Sequence, residues 1–148
     1  MRKTKRIIDP ELTLVPYYPN ERAALPWYQD PQLCKQVGDR DGVYDLPLLR
    51  AMYRYLDRHG NLYYIKYRRR LCGDVCLHPD GEINIVVAAL WQNQHIGRRV
   101  IGALISIARE KGIPTLRAEI DPFNTQSQAM FRRCGFHPVD ETHWELEV

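Results

Sequence analysis

The residues best suited to chemistry stand where a short apolar run ends and a helical pattern begins. Ile83–Ala89 is predicted to form a buried strand, which leads through the polar segment Gln92–Gly97 into a helix that ends near Gly112 and Pro114. A strand that feeds a helix through such a turn leaves backbone N–H groups free at the positive end of the helix dipole. That geometry binds phosphate. An ordinary strand–turn–helix connection explains the same stretch equally well.

The elements around this turn predict a mixed α/β domain with a central sheet. The expected order is strand, two helices, three strands, helix, strand, helix and two strands. A first helix is predicted from Pro31 to Gly38 with Asp30 as its cap, and Asp45 is predicted to cap a second that ends at Gly60. Strands are predicted at Glu11–Val15, Leu62–Tyr67, Leu71–Leu77, Ile83–Ala89, Thr115–Ile120, Phe136–Val139 and Thr142–Val148, and a late helix at Asn124–Cys134.

Composition is that of a globular protein, with 148 residues, 45% hydrophobic and 26% charged. We expect one domain over residues 1–148, without a signal peptide or membrane span, in the cytoplasm. The net charge of +3 suits an anionic ligand without arguing for nucleic acid, and the basic start is expected to be a solvated tail. The four cysteines are expected to be reduced, with Cys72 and Cys76 on one strand face but too far apart to pair, and no metal site is expected.

Two segments together resemble motifs of the GNAT superfamily of N-acetyltransferases. Gln92–Gly97 resembles the family's acyl-CoA loop, and Asn124–Phe136 resembles its Asn-x-x-Ser/Ala…Gly-Phe segment. The order of elements matches as well, so the resemblance covers nearly the whole chain. It implies a central mixed, twisted sheet of about seven strands flanked by about four helices.

The resemblance implies acetyl-CoA as the acyl donor, with its pyrophosphate on the backbone amides of roughly Gln94 to Arg99. His95 stands where the family prefers a glycine. Because histidine tolerates the left-handed region better than most residues, we expect an altered loop with binding retained; a solvent-facing residue at the helix start is the alternative. The implied cofactor-binding residues are Val86, Val87, Gln92, Gln94, His95, Ile96, Gly97, Arg98, Arg99, Asn124, Ser127 and Phe131.

Acetyl transfer to an amine requires a base, because an amine with a pKa of ~10.4 is neutral in only roughly one molecule in two thousand at pH 7. Glu119 is the first candidate, since ribosomal-protein alanine acetyltransferases resemble this chain there and carry a glutamate. Glu82 is the second, and either residue could instead be a solvated charge at a strand end. The family also implies an oxyanion-binding N–H near Val86–Ala88. Phe131 replaces a tyrosine thought to protonate the leaving thiolate, with Tyr64, Tyr67 and His137 as candidate substitutes.

The acceptor is expected opposite the cofactor, beside aromatic and acidic residues that suit a cationic amine. Similar Trp-containing segments occur in aminoglycoside and polyamine acetyltransferases. An equally simple interpretation is that the aromatic rings pack under the sheet and the aspartates cap helices and turns. The candidate substrate-binding residues are Trp27, Tyr28 and Asp30, in a set that also contains Asp39, Asp41, Tyr44 and Asp45.

These observations favour an N-acetyltransferase that moves the acetyl group of acetyl-CoA directly onto the primary amine of a small cationic substrate in a ternary complex. The same chemistry on a protein or peptide amine is the first alternative. An acyl-CoA-binding module without efficient turnover is the second, suggested by Phe131 and His95. A nucleic-acid binder that uses Arg68–Arg70 is a more distant alternative, and the chain is expected to be a monomer or a homodimer.

Overall fold

The computed structural model describes residues 4–38 and 42–148, which fold into strands and helices that alternate irregularly along the chain. The described strands are β1 (Arg6–Asp9), β2 (Leu12–Pro16), β3 (Asn61–Tyr67), β4 (Arg70–Leu77), β5 (Ile83–Val87), β6 (Thr115–Glu119), β7 (His137–Pro138) and β8 (His143–Glu147). The described helices are α1 (Glu21–Tyr28), α2 (Pro31–Gly38), α3 (Leu46–His59), α4 (Ile96–Lys111) and α5 (Thr125–Arg133), with a 3-10 turn at Ala89–Trp91.

The strands form two sheets rather than the single sheet of about seven strands that the resemblance implied. One is antiparallel with the order β1-β2-β3-β4-β5, and the other has the order β6-β8-β7. An isolated parallel bridge joins Glu82, the residue before β5, to Arg117 of β6, where the Arg117 N–H donates to the Gly81 carbonyl at 2.8 Å. Beyond this bridge the two strands are not paired. The predicted α/β class is confirmed, and the unpaired edges of β5 and β6 border a gap.

Helix α4 forms where the sequence predicts it, because apolar residues recur along one side. Val100, Ile101, Leu104 and Ala108 are fully buried. The helix ends at Gly112, which takes the left-handed conformation with φ 73° and donates its N–H to the Ala108 and Arg109 carbonyls. None of the described helices combines the length and apolarity that crossing a membrane requires.

The five-stranded sheet carries a separate core on each face. The α4 face packs against α4 and α5 and includes Leu14, Ile65, Leu104 and Phe131. The α3 face packs against α1 and α3 and includes Tyr28, Leu49, Tyr53, Tyr64 and Val86. Residues that alternate along one strand therefore serve two different layers.

Two elements were not predicted from the sequence. Helix α1 contains Pro26, a residue that removes a helical hydrogen bond, and its Asn20 cap makes no side-chain capping bond. Strand β1 lies at the sheet edge, so its pairing depends on β2 rather than on its own pattern. The expectation of a solvated tail is wrong for Arg6, whose guanidinium donates to both Glu110 carboxylate oxygens at 2.8 and 2.5 Å.

The prediction that Cys72 and Cys76 share a strand face is wrong because β4 is bulged. Gly73 pairs with Ile65 and Leu71 with Lys66, which leaves Cys72 as the extra residue. Cys72 therefore packs in the core of the α4 face and Cys76 in the core of the α3 face. None of the four cysteines, all of which lie in the described residues, forms a disulfide.

Candidate active site

A cavity of ≈ 550 Å³ opens beside the unpaired edge of β5 and is lined by residues from both faces of the sheet. One wall comes from the start of α4 and from α5, and the opposite wall comes from α1, α2, α3 and β4. Glu119 and Ile120, at the end of β6, complete the lining. The gap between β5 and β6 thus becomes a site that two otherwise separate layers share.

The N-terminus of α4 presents backbone donors to this cavity. The N–H groups of Ile96, Gly97 and Arg98 have no partner within the helix, and none donates to another acceptor among the described residues. His95 caps the helix without a side-chain capping bond. Ile96, Gly97 and Arg98 all line the cavity, so the positive end of the helix dipole faces it.

The turn before α4 depends on left-handed residues that are not glycine. Asn93 has φ 65° and His95 has φ 61°. The turn therefore ends before Gly97, the last residue of the predicted polar segment, because Gly97 is the second residue of α4. His95 adopts the backbone conformation that a glycine would adopt most easily, as expected for a tolerant residue. That such a loop still binds acetyl-CoA stays a prediction.

The two adjacent arginines of α4 have different surroundings. Arg98 is exposed and lines the cavity. The Arg99 Nη1 donates to Asp9 Oδ2 at 3.0 Å and to Glu11 Oε1 at 3.1 Å, and Arg99 is absent from the described lining. Hydrogen bonds from Arg68 and then Arg99 lower the pKa of Glu11. The Arg99 charge is thus balanced by β1 and the start of β2, which leaves Arg98 as the better candidate for an anion.

Of the two predicted glutamines of the loop, only one lines the cavity among the described residues. Gln92 lines the cavity, and its Nε2 donates to the Val87 carbonyl at 2.9 Å and to Gln36 Oε1 at 3.3 Å. Gln94 is exposed and outside the described lining. Gln92 therefore fastens the loop to β5 and α2, a positioning contact that the sequence did not reveal.

Val86 and Val87 both line the cavity, on adjacent positions of β5. The Ala88 N–H donates to the Cys72 carbonyl of β4 at 2.8 Å. Because hydrogen-bonding direction alternates along an antiparallel strand, the Val87 N–H and carbonyl point to the opposite edge, and that carbonyl indeed meets Gln92. The Val87 N–H consequently faces the gap and is a candidate donor to a negatively charged oxygen.

Asn124 caps helix α5, and its side-chain oxygen accepts the Ser127 N–H at 3.2 Å. Its Nδ2 also donates to the Gln36 carbonyl at 3.4 Å. Asn124, Ser127 and Phe131 line the cavity, and the Phe131 ring meets Phe136 edge to face at 5.0 Å. The candidate replacement acids Tyr64, Tyr67 and His137 do not occur in the described lining.

Of the two predicted bases, Glu119 lines the cavity and Glu82 does not among the described residues. Glu119 is exposed at the end of β6, and Glu82 lines a second concavity of ≈ 470 Å³. Both carboxylates affect the pKa of His143, which pairs with Glu119 across the strands β6 and β8. The hydrogen bond with Asp140 is the main cause that raises the pKa of His143, and Glu119 and Glu82 add to it.

The predicted substrate residues are not all brought together. Tyr28 and Tyr44 line the cavity, with ring centroids 5.0 Å apart. Trp27 is half-buried against the core of the α3 face and absent from the described lining. Asp30 Oδ1 accepts the Gln32 N–H at 2.9 Å at the start of α2, and it also lies outside that lining. Asp45 caps α3, while Asp39 and Asp41 lie outside the described residues.

Sequence reasoning missed Asp74, a buried carboxylate in the wall opposite α4. Only 2% of it is exposed, and its Oδ2 accepts the Tyr28 hydroxyl at 2.6 Å and the Tyr53 hydroxyl at 2.8 Å. Burial raises the pKa of Asp74 to about 6, and the two tyrosine hydrogen bonds oppose this rise. The available signal was an aspartate within the otherwise apolar run Leu71–Leu77.

The model of the acetyltransferase (GNAT) family matches residues 24–136, which run from within α1 to just beyond α5 and include the described lining of the cavity. The chain belongs to this family. Its members are acyltransferases, so the predicted class of enzyme is confirmed. Across residues 4–38 and 42–148, no group of three or more His, Cys, Asp or Glu side chains is arranged to hold a metal ion.

Solved structures of other acetyltransferases share the fold. A GNAT acetyltransferase from Bacillus anthracis has 15% identity and a TM-score of 0.80, over 93% of this chain and 95% of that one. The Salmonella typhimurium enzyme that modifies the N-terminal serine of ribosomal protein L7/L12 has 14% identity and a TM-score of 0.77, over 98% and 99%. The microcin C7 self-immunity acetyltransferase MccE, solved with acetyl-CoA and AMP, has 17% identity and a TM-score of 0.73, over 95% and 94%.

Proposed function

We propose that this chain is an acetyl-CoA-dependent N-acetyltransferase whose acceptor is the primary amine of a small cationic substrate. One observation carries the proposal: a single cavity joins the open N-terminus of α4 to a wall that contains tyrosines and carboxylates. The first end suits the anionic donor, and the second suits a cation. Both substrates can therefore meet in one ternary complex, without a covalent enzyme intermediate.

The donor end offers contacts of two kinds. The N–H groups of Ile96, Gly97 and Arg98 would hold a pyrophosphate, with the Arg98 guanidinium as a nearby positive charge. Acetyl-CoA supplies a thioester carbonyl that an amine can attack. The Val87 N–H would stabilise the negative charge that grows on this carbonyl oxygen. The related structure of MccE with acetyl-CoA and AMP supports this choice of donor.

A base must take a proton from the acceptor, which is mainly an ammonium ion at neutral pH. Among the described residues, the cavity contains two carboxylates, Glu119 and Asp74. Glu119 is the exposed one of the two and, as the base, would act directly or through water. If it is the base, Glu119→Gln lowers the rate most near neutral pH and less at pH 9–10, where more of the amine is already neutral; an equal loss across this range would remove it.

A protein or peptide amine is the second candidate acceptor. Leu56 and Asn84 line both the main cavity and the second concavity, so an extended chain could continue from one into the other. The Salmonella typhimurium neighbour modifies a protein N-terminus, which supports this alternative.

Thermal shift and thiol release test the proposal together. Acetyl-CoA should raise the melting temperature, because a ligand that binds only the folded state stabilises it. Free thiol should then appear with alkylamines or polyamines, and peptides beginning with serine or alanine test the second acceptor. A shift without turnover on any amine would support an acyl-CoA-binding module. Absence of any shift with millimolar acetyl-CoA would contradict donor binding itself.

A further inference from the structure

Asp74 lacks what a buried carboxylate normally has, a cationic partner. Only 2% of its surface is exposed, yet no lysine, arginine or histidine pairs with it among the described residues. Buried charges in proteins are usually paired, since an isolated ion loses its hydration without compensation. Asp74 is therefore a buried carboxylate whose negative charge is not balanced by any cation among the described residues.

The two oxygens of this carboxylate are in different situations. Both tyrosine hydroxyls, from Tyr28 on α1 and Tyr53 on α3, donate to Oδ2. No described residue donates to Oδ1. Every described side-chain oxygen or nitrogen that is fully shielded from solvent has a hydrogen-bond partner, so Oδ1 is not fully shielded. Since Asp74 lines the cavity, Oδ1 is the oxygen that can accept a hydrogen bond from a molecule inside it.

Tyrosine rings surround the carboxylate and continue across the α3 face. The rings of Tyr17, Tyr28, Tyr53 and Tyr64 approach one another with centroids 5.3 to 6.3 Å apart. Tyr28, Tyr53 and Tyr64 are the titratable groups that face Asp74 from α1, α3 and β3. Burial and the negative charge nearby raise the pKa of each hydroxyl, so the rings stay neutral and attract a cation by their faces.

The position of Asp74 along β4 places this group next to the proposed site of reaction. Asp74 pairs with Val86 of β5, the residue before the candidate oxyanion donor Val87. Neighbouring strands lie roughly 4.8 Å apart. Asp74 and the candidate donor Val87 therefore belong to neighbouring strands and line the same cavity.

We propose that Asp74 binds the acceptor ammonium through Oδ1 and removes its proton, with Tyr28 and Tyr53 as positioning residues that hold Oδ2. This rests on the proposed function. Leu33, Met52 and Leu56 line the same end of the cavity, so the ammonium that fits best is carried on an apolar stem, as in an alkylamine or a lysine side chain. A polycation would require further buried carboxylates.

The proton balance closes with the residues present. The ammonium gives one proton to Asp74 and becomes a neutral amine, whose nitrogen forms a bond to the acyl carbon. The carbon–sulfur bond breaks, and the thiolate takes the second proton that the nitrogen loses. Asp74 then releases its proton to water, so the overall products are an amide, a thiol and one proton.

Nuclear magnetic resonance of ¹³C-labelled aspartate carboxyls tests binding without turnover. The enzyme is loaded with CoA, which cannot react, and Asp74 is assigned by comparison with Asp74→Asn. Addition of n-butylamine should lower the pKa of Asp74, because an ammonium stabilises the carboxylate. Addition of 1-butanol, a neutral molecule of similar shape, should leave it unchanged. An Asp74 signal that ignores n-butylamine overturns the proposal.

Kinetics with acetyl-CoA supply a second readout. Asp74→Asn should lower kcat/KM for amines by about 100-fold or more near pH 7. It should also remove the low-pH limb of the profile of kcat/KM against pH, while leaving the thermal shift with CoA intact. Tyr53→Phe should move that limb to higher pH, since it removes a bond that favours the carboxylate. Tyr63→Phe, on the other face of the sheet, and Asp57→Asn, exposed on α3, are the matched controls.

These outcomes separate the two proposals. Loss of CoA binding by the wild-type chain would contradict the proposed function. Retained CoA binding, with full amine turnover and an unchanged pH profile in Asp74→Asn, would contradict the role of Asp74 alone. A loss of activity in Asp74→Asn without any change in the pH limb in Tyr53→Phe would limit Asp74 to binding and overturn its role as proton acceptor.

Discussion

The α4 end of the cavity offers main-chain N–H groups from one contiguous segment, whereas the opposite end offers side chains from three separate elements. The N–H groups at the α4 end belong to Ile96, Gly97 and Arg98. At the opposite end, Tyr28 and Asp74 line the cavity and Tyr53 donates to Asp74, so the group joins residues up to 46 positions apart in the sequence. The donor end thus depends on backbone conformation, while the acceptor end can change its chemistry by single substitutions on an unchanged fold.

This contrast predicts that damage to β4 affects both ends at once. A Cβ on Gly73 would lie 2.0 Å from the Val86 carbonyl oxygen, so Gly73→Ala must push β5 away from β4. We expect a loss of about 3 kcal/mol in the free energy of unfolding, at the upper end for overpacking, together with loss of turnover. Chemical denaturation measures the first, and thiol release measures the second.

Gly102→Ala is the control for this substitution. Gly102 lies in α4 with open space around it, so alanine there should stabilise the helix by about 0.5–1 kcal/mol. If Gly73→Ala and Gly102→Ala changed the free energy of unfolding similarly, β4 and β5 would tolerate being pushed apart.

Asp74→Asn should separate stability from activity at the acceptor end. The folded-state pKa is raised to about 6, so the native state binds more protons than the unfolded state between about pH 4 and pH 6, and stability falls as pH rises through that window. Asparagine removes this cost and should raise the free energy of unfolding by up to about 3 kcal/mol at pH 7. The gain should vanish near pH 4; a gain that is constant with pH would contradict the burial of a carboxylate.

Gly97→Ala should separate stability from binding at the donor end. A Cβ there has ordinary room, with the Met130 Cε 3.5 Å away, so the helix should gain about 0.5–1 kcal/mol. The added methyl group lies in the wall of the cavity beside the free N–H groups, and we expect the Kd for acetyl-CoA to rise about tenfold. Calorimetry with acetyl-CoA decides this, and unchanged affinity would place the pyrophosphate elsewhere.

The two adjacent arginines of α4 should contribute unequally to donor binding. Arg98→Ala should weaken acetyl-CoA binding by up to about fivefold, less at high salt, because an exposed charge contributes about 1 kcal/mol or less. Arg99→Ala should affect binding less, since Arg99 is paired with Asp9 and Glu11. The reverse order in a titration at low salt would show that Arg99 leaves these partners when the donor binds.

Phe131→Tyr tests whether the donor end lacks an acid. The ring lines the cavity, so a hydroxyl there could protonate the leaving sulfur. We expect only a few-fold rise in kcat, because a thiol with a pKa of ~8.5 already leaves well. Single-turnover kinetics measure this step, and a fall in rate would indicate that the hydroxyl disturbs the packing against Phe136.

Local patterns predicted much of the fold and of the donor end. The Asp45 and Asn124 caps, the apolar stripe of α4 and the stop at Gly112 act over a few residues, so sequence spacing is enough to find them. Pro26 concealed α1, and the pairing of β1 with an edge strand left no local signal. The ion pairs of Arg99 with Asp9 and Glu11 join residues about 90 positions apart, so sequence spacing did not reveal them.

Local sequence alone specifies the strand, the polar turn and the amphipathic helix α4, and this succession fixes which N–H groups are free at the start of the helix. The surroundings of Asp74, at the other end of the cavity, depend on tertiary pairing. The extra residue Cys72 in β4 reverses the alternation of the strand and turns Asp74 toward α1 and α3. A bulge is set by pairing with β3 rather than by local preference, so the face that Asp74 occupies, and the tyrosines that hold it, are decided only when the sheet forms.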